Sequence, residues 1–89
     1  MKKILLITTD GCDACKIMDA VIKEALANTR RKVDYEKVNF KILPVNYLKR
    51  YKFKDFPTIQ YIVDDIVKFQ TVGSYPYPVV NRYIDIYLK

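Results

Sequence analysis

Both cysteines of this chain fall in one short turn, Gly11-Cys12-Asp13-Ala14-Cys15, and what flanks that turn limits the fold more than any other feature. Before it runs Ile4-Leu5-Leu6-Ile7, and the stretch from Lys3 to Thr9 is nearly continuous in apolar and β-branched residues. That composition suits a strand buried on both faces. After it, from Cys15 to about Asn28, Met18, Ile22, Ala25 and Leu26 recur at helical spacing with Ile17 and Val21 beside them. Asp19, Lys23 and Glu24 take the wet face. The reading is strand, polar turn, helix, with a dithiol at the helix N-terminus. Thr9 or Asp10 is the expected cap, and Gly11 gives an uncrowded approach to Cys12.

This placement bears on the chemistry. Only the thiolate of cysteine is a good nucleophile and metal ligand. A helix N-terminus offers unpaired N–H groups and about half a positive charge, and both favour a thiolate. Cys12 is expected at or before the first turn, exposed, with its pKa below the ordinary thiol value. Cys15, three residues on, lies on the same side one turn deeper. One sulfur can attack while the other waits to resolve a mixed disulfide. Three other readings of the pair remain open at this point. A structural disulfide is one, but so short a loop restrains the unfolded chain least. A metal site is another, although the chain has no histidine to complete a four-ligand set. Two ordinary buried cysteines close together by chance are the third. Met18, beside the dithiol, reads as core rather than as a thioether ligand.

The 89 residues suit one domain spanning 1–89. With 51% of residues hydrophobic, eight of them tyrosine and four phenylalanine, disorder is not expected. No stretch approaches a membrane-spanning length. The opening Met1-Lys2-Lys3 resembles the start of a signal peptide, but its apolar run is too short and Thr8-Thr9-Asp10 ends it without a small-residue cleavage site. A cytoplasmic, reducing setting is therefore expected, where a close cysteine pair is more often catalytic than structural. The formal charge of +6 includes Arg30-Arg31-Lys32, Lys49-Arg50, Lys52 and Lys54. Acidic residues are interleaved and no nucleic-acid-binding motif appears, so a solvated basic face is expected and nucleic acid is not.

Along the rest of the chain, Val33 to Phe40 reads as a strand. A shorter helix follows around Leu43 to Tyr51, with Pro44 in its first turn and Leu48 and Tyr51 as core contacts. Thr58 to Val63 is a strand, Asp64-Asp65 a tight turn and Ile66 to Val72 its partner. Gly73-Ser74 breaks that strand, with Ser74 read as a helix-capping residue, and Pro76 and Pro78 bracket the start of a final helix. Its apolar stripe is Val79, Val80, Tyr83, Ile84, Tyr87 and Leu88. The order is β-α-β-α-β-β-α, an α/β chain. Its opening β-α-β unit predicts parallel strands and its closing hairpin an antiparallel pair. The result is a four-stranded mixed sheet with helices on both faces.

With that order, the chain resembles the thioredoxin-fold family almost end to end, without the extra N-terminal strand and helix of thioredoxins. Cys12-Asp13-Ala14-Cys15-Lys16 is similar to the family's active-site segment, including the lysine after the second cysteine. Phe56-Pro57-Thr58 falls where the family has its cis-proline, and Val72-Gly73 where it has the glycine closing the last strand. Lys37-Val38-Asn39 resembles its second-strand lysine segment. The sequence departs from the pattern in three ways. Gly11 stands where thioredoxins have tryptophan, and Asp13-Ala14 replaces Gly-Pro. Leu6 occupies what looks like the buried aspartate position, so the usual proton acceptor near the second cysteine is missing and Lys37 is a candidate to assist.

The resemblance implies a thiol–disulfide oxidoreductase that reduces protein disulfides, Cys12 attacking and Cys15 resolving. Gly11, Asp13, Ala14, Phe56, Pro57, Gly73 and Tyr75 are then the substrate-binding candidates. A cis Pro57 leaves the Phe56 backbone open to pair with an extended substrate segment, Gly73 lets that segment come close, and Phe56 and Tyr75 wall it. Plain core packing is the competing reading of the two aromatics. No bound cofactor is implied beyond the redox-active Cys12–Cys15 disulfide, and a monomer is expected. The electron donor is a thioredoxin-reductase-like or a glutathione system. A glutaredoxin-type reductase is the alternative. Lys16 is expected to point along the helix, and Gly73-Ser74-Tyr75 followed by Pro76 and Pro78 offers few free N–H groups for glutathione. A Cu(I) carrier is a further alternative, since small copper carriers also place Cys-x-x-Cys between a first strand and a first helix. Their element order has no use for Pro57.

Overall fold

Alternation along the first strand sets the architecture. In the computed structural model, which describes residues 1–89, β1 runs from Lys2 to Thr8 and Ile4 through Ile7 are all buried. Successive side chains of a strand point to opposite faces, so four buried residues in a row need cover on both sides. Ile4 and Leu6 pack with Met18 and Ile22 of α1 (Asp13–Ala27) and with Val80 and Ile84 of α3 (Tyr77–Tyr87). Leu5 and Ile7 face the other way, joining Val38 of β2 (Asp34–Asn39), Ile62 of β3 (Thr58–Val63) and Tyr47 of α2 (Val45–Tyr51). The fourth strand, β4, spans Ile66–Val72.

The sheet order is β2-β1-β3-β4. β1 and β2 are parallel, as a crossover through α1 requires, and β3 pairs antiparallel with both β1 and β4. The β3–β4 hairpin closes through Asp64 and Asp65, both at positive φ, as a two-residue turn matched to strand twist needs. The mixed sheet with helices on both faces is thus the one the element order predicts.

Several local expectations are corrected. Cys12, not Thr9 or Asp10, caps α1: its backbone is extended and its sulfur accepts the Cys15 N–H at 3.0 Å. Asp10 instead binds Lys41 and Asn39. The stretch before α2 is not one helix from Leu43. A 3₁₀ turn spans Phe40–Ile42, and α2 starts after Pro44, because the residue before a proline is disfavoured in helical geometry. Tyr47, rather than Leu48 or Tyr51, anchors α2 to its core cluster, and its hydroxyl donates to the buried Gln60 carboxamide. Ile17 is exposed rather than beside the core stripe. Ser74 caps nothing; Pro76 occupies the N-cap of α3 and makes no side-chain cap bond.

Candidate active site

The strand directions gather the site at one end of the sheet. β1 and β2 both finish there, and the antiparallel register of β1 with β3 brings the residue before Thr58, Pro57, level with Thr8. Thr58 also pairs with Val72, so Gly73 follows at the same end, where its N–H donates to the Pro57 carbonyl at 2.8 Å. Four residues after β1 ends, Cys12 opens α1.

Gly11 has φ 67°, left-handed geometry that a side chain would strain, and it turns the chain from the sheet into the helix. Cys12 and Cys15 form a disulfide, with Cα atoms 5.2 Å apart. Cys15 is only 4% exposed, while Cys12 is half-buried at the helix mouth. Thr8, Thr9, Gly11, Lys16 and Lys37 join the two cysteines in lining a small cleft of about 170 Å³. Two lysines thus line a cleft together with both cysteines, and a nearby positive charge favours a thiolate. No third metal-ligating side chain clusters with the sulfurs.

Sequence reasoning missed the polar cluster behind the dithiol. Asp19, one turn after Cys15, accepts a 2.5 Å hydrogen bond from the Tyr35 hydroxyl and lies 3.2 Å from Lys23 and 3.6 Å from Lys37. The Tyr35 bond, with the two lysines behind it, holds the Asp19 carboxyl below the ordinary carboxylate range. Burial, and then the Asp19 bond, push the Tyr35 phenol well above its ordinary value. One carboxylate shared by two lysines leaves the cluster with net positive charge beside the cysteines. The signal for it lies in strand parity: Tyr35 and Lys37 alternate with Val38, so they emerge on the α1 face.

Of the substrate-binding candidates, Gly11 lines the cysteine cleft. Asp13 and Ala14 lie on the first turn of α1, exposed and half-buried. The Phe56–Pro57 bond is cis and Pro57 is buried. The Phe56 N–H donates to its neighbour Asp55, at 2.8 Å, and the Phe56 carbonyl accepts no hydrogen bond within the chain. The Phe56 ring does not line the cysteine cleft and makes a tilted contact with Phe40, with centroids 5.1 Å apart. Gly73 has φ 99° with open space where a Cβ would stand. Tyr75 packs against the α1/α3 core cluster, and its N–H donates to the Met18 sulfur at 3.2 Å. Met18 is fully buried, a core residue.

A helix-capping Cys-x-x-Cys disulfide at the strand ends of an α/β sheet supports thiol–disulfide oxidoreduction in general. No protein-family model matches the sequence, and no curated protein is similar to it in sequence. The fold is similar to that of a solved malaria-parasite structure, thioredoxin-2, described as a component of that parasite's protein secretion machinery. The TM-score is 0.80 over 97% of this chain and 82% of that one, at 13% sequence identity. The chain has a thioredoxin fold.

Proposed function

We propose that the chain reduces disulfides of other proteins, with Cys12 as the attacking thiol and Cys15 as the resolving one. The observation that carries this reading is the difference between the two sulfurs, one at an open helix mouth and the other 4% exposed beneath it. In the reduced protein, the Cys12 thiolate attacks a substrate disulfide and expels one substrate sulfur as a thiolate, which takes a proton from water. Cys15 then gives up its proton to solvent and attacks the Cys12 sulfur. The mixed disulfide breaks, the second substrate thiolate leaves, and the Cys12–Cys15 bond closes. Two electrons pass from dithiol to substrate, and an external donor restores them.

The same residues argue for a protein rather than a glutathione substrate. The free Phe56 carbonyl and the open face of Gly73 suit main-chain pairing with an extended segment. The entry to α3 has prolines at its N-cap and in its first turn, which leaves few N–H groups for a carboxylate. A thioredoxin-reductase-like donor, a monomeric state and a cytoplasmic setting complete the proposal.

The test has two arms. Alkylation of the reduced protein with peptide mapping should label Cys12 first; preferential labelling of Cys15 would reverse the roles. Turnover on insulin should exceed turnover on a glutathione mixed disulfide. A clear preference for the glutathionylated substrate would make the protein a glutaredoxin-type reductase.

A further inference from the structure

The α2 side of the site end carries an apolar hollow that the disulfide chemistry itself does not use. Phe40, Leu48, Phe53 and Phe56 line it, with a volume of about 220 Å³ and no polar side chain among them. Neither the 3₁₀ turn nor α2 has a fully buried residue, and Ile42 and Val45 are 73% and 64% exposed. Each lining residue other than Phe56 is followed or flanked by a cation: Lys41 after Phe40, Lys49 after Leu48, and Lys52 and Lys54 on either side of Phe53. All four cations are exposed. Lys41 pairs with Asp10, whereas Lys49, Lys52 and Lys54 form no ion pair within the chain.

We infer that this hollow is a docking site for an extended segment of a partner protein that carries one aromatic or large aliphatic side chain flanked by carboxylates. The inference rests on the reductase reading above and names the class of protein it acts on. Charge complementarity argues for the carboxylates, since three exposed, unpaired lysines adjoin the lining residues in the chain. Continuity with the cysteine site argues for an extended segment. The Phe56 ring lines the hollow while its carbonyl accepts no bond within the chain, so a strand pairing there can seat a side chain beside the ring. Other occupants fit less well. A second copy of this chain would bring its own +6 charge to a basic face. A membrane surface favours a long amphipathic helix with a convex apolar face, whereas α2 has seven residues and the apolar feature is a hollow. Stacked nucleobases need free ring faces, and here the phenylalanines engage one another, Phe40 with Phe56 at 5.1 Å and Phe53 with Phe56 at 6.4 Å.

The test uses the oxidised full chain and dye-labelled, cysteine-free peptides read by fluorescence anisotropy, so that binding is separated from reduction. A peptide with a Glu-Phe-Glu core should bind at least about tenfold more tightly than Lys-Phe-Lys or Glu-Ser-Glu versions, and salt should weaken it. The triple variant Lys49→Glu, Lys52→Glu, Lys54→Glu should lose that preference while staying folded, its melting temperature lowered only by the few degrees that carboxylates at the C-terminal end of α2 cost. Leu48→Ala should weaken only the phenylalanine peptides. Equal affinity for all three peptides, or acidic-peptide binding untouched by the charge reversal, would overturn the inference. Tighter binding to oligothymidylate or phosphatidylserine vesicles, or dimerisation through this face, would overturn it as well. Loss of insulin reduction with peptide selectivity intact would sink the reductase reading alone.

Discussion

Leu6 and Lys37 are register partners in the parallel pair of β1 and β2, and the lysine, not the leucine, lines the dithiol cleft. Parallel neighbours point to the same face, so Lys37 comes up beside Leu6 beneath the first turn of α1. A cation there lowers the cost of a thiolate at either cysteine. Asp19 restrains Lys37 only loosely, at 3.6 Å, and shares its charge with Lys23. Lys37→Gln should therefore slow alkylation of the reduced protein by roughly 3–10-fold at pH 7, the effect of about one charge in a partly solvated cleft. Raising the pH by about one unit should restore the rate, because the loss is one of thiolate population. The half-exposed side chain should leave thermal stability nearly unchanged. A pH profile identical to that of the parent chain would remove Lys37 from the chemistry.

The sequence made the sheet legible because β-branched runs, a two-residue aspartate turn and one β-α-β unit leave few topologies open. It also pointed to Cys12, Cys15 and the Phe56–Pro57 bond, since each belongs to a local motif. The misreadings came where two signals compete. Asp10 is a good capping residue, but Lys41 and Asn39 hold it, and the neighbouring sulfur takes the cap. Leu48 has helical spacing for a core contact, yet α2 has only seven residues and anchors through the Tyr47 hydroxyl on Gln60. The Asp19–Tyr35 contact could not be read locally at all. It joins residues 16 apart in sequence and depends on which face of β2 meets α1.

That contact should govern acid stability. A hydrogen bond to a charged group contributes about 1.5–3 kcal/mol, so Tyr35→Phe should cost about that much at pH 7. The folded Asp19 carboxyl protonates below its unfolded value of about 3.9. Its contribution is therefore complete above that pH and disappears as the pH falls through the lower, folded value. Urea unfolding from pH 7 to pH 2.5 should show the gap between parent and variant narrowing below about pH 4. A gap constant across that range would mean the hydroxyl does not hold the carboxylate.

Tyr61 offers the opposite case. It is fully buried between β3 and α3, and its hydroxyl has no hydrogen-bond partner. Burial raises its pKa well above the ordinary phenol value, so it stays protonated and unpaired. Tyr61→Phe keeps the ring and its edge contact with Tyr83 and removes the unpaired group. Stability should rise by about 1 kcal/mol, the lower end of the cost of burying an unsatisfied hydroxyl. A denaturation midpoint shifted to lower urea would show that the hydroxyl is satisfied in solution.

Met18 ties the core to the rim of the site. Its sulfur accepts the Tyr75 N–H at 3.2 Å, two residues beyond Gly73. Met18→Leu conserves volume and should cost less than about 1.5 kcal/mol in packing, while leaving that amide without an acceptor. Met18→Ala also opens a cavity among Ile4, Ile22 and Ile84 and should cost about 2–5 kcal/mol. Only the leucine variant isolates the hydrogen bond. In it, the Tyr75 amide should exchange with solvent faster while the amides of Ile59 and Tyr61 keep their protection. If the Gly73–Tyr75 segment helps to seat a protein substrate, KM for insulin should rise several-fold with the alkylation rate of Cys12 unchanged. Faster exchange across the whole core would mark a general loosening, and an unchanged Tyr75 amide would show that the sulfur does not hold the rim.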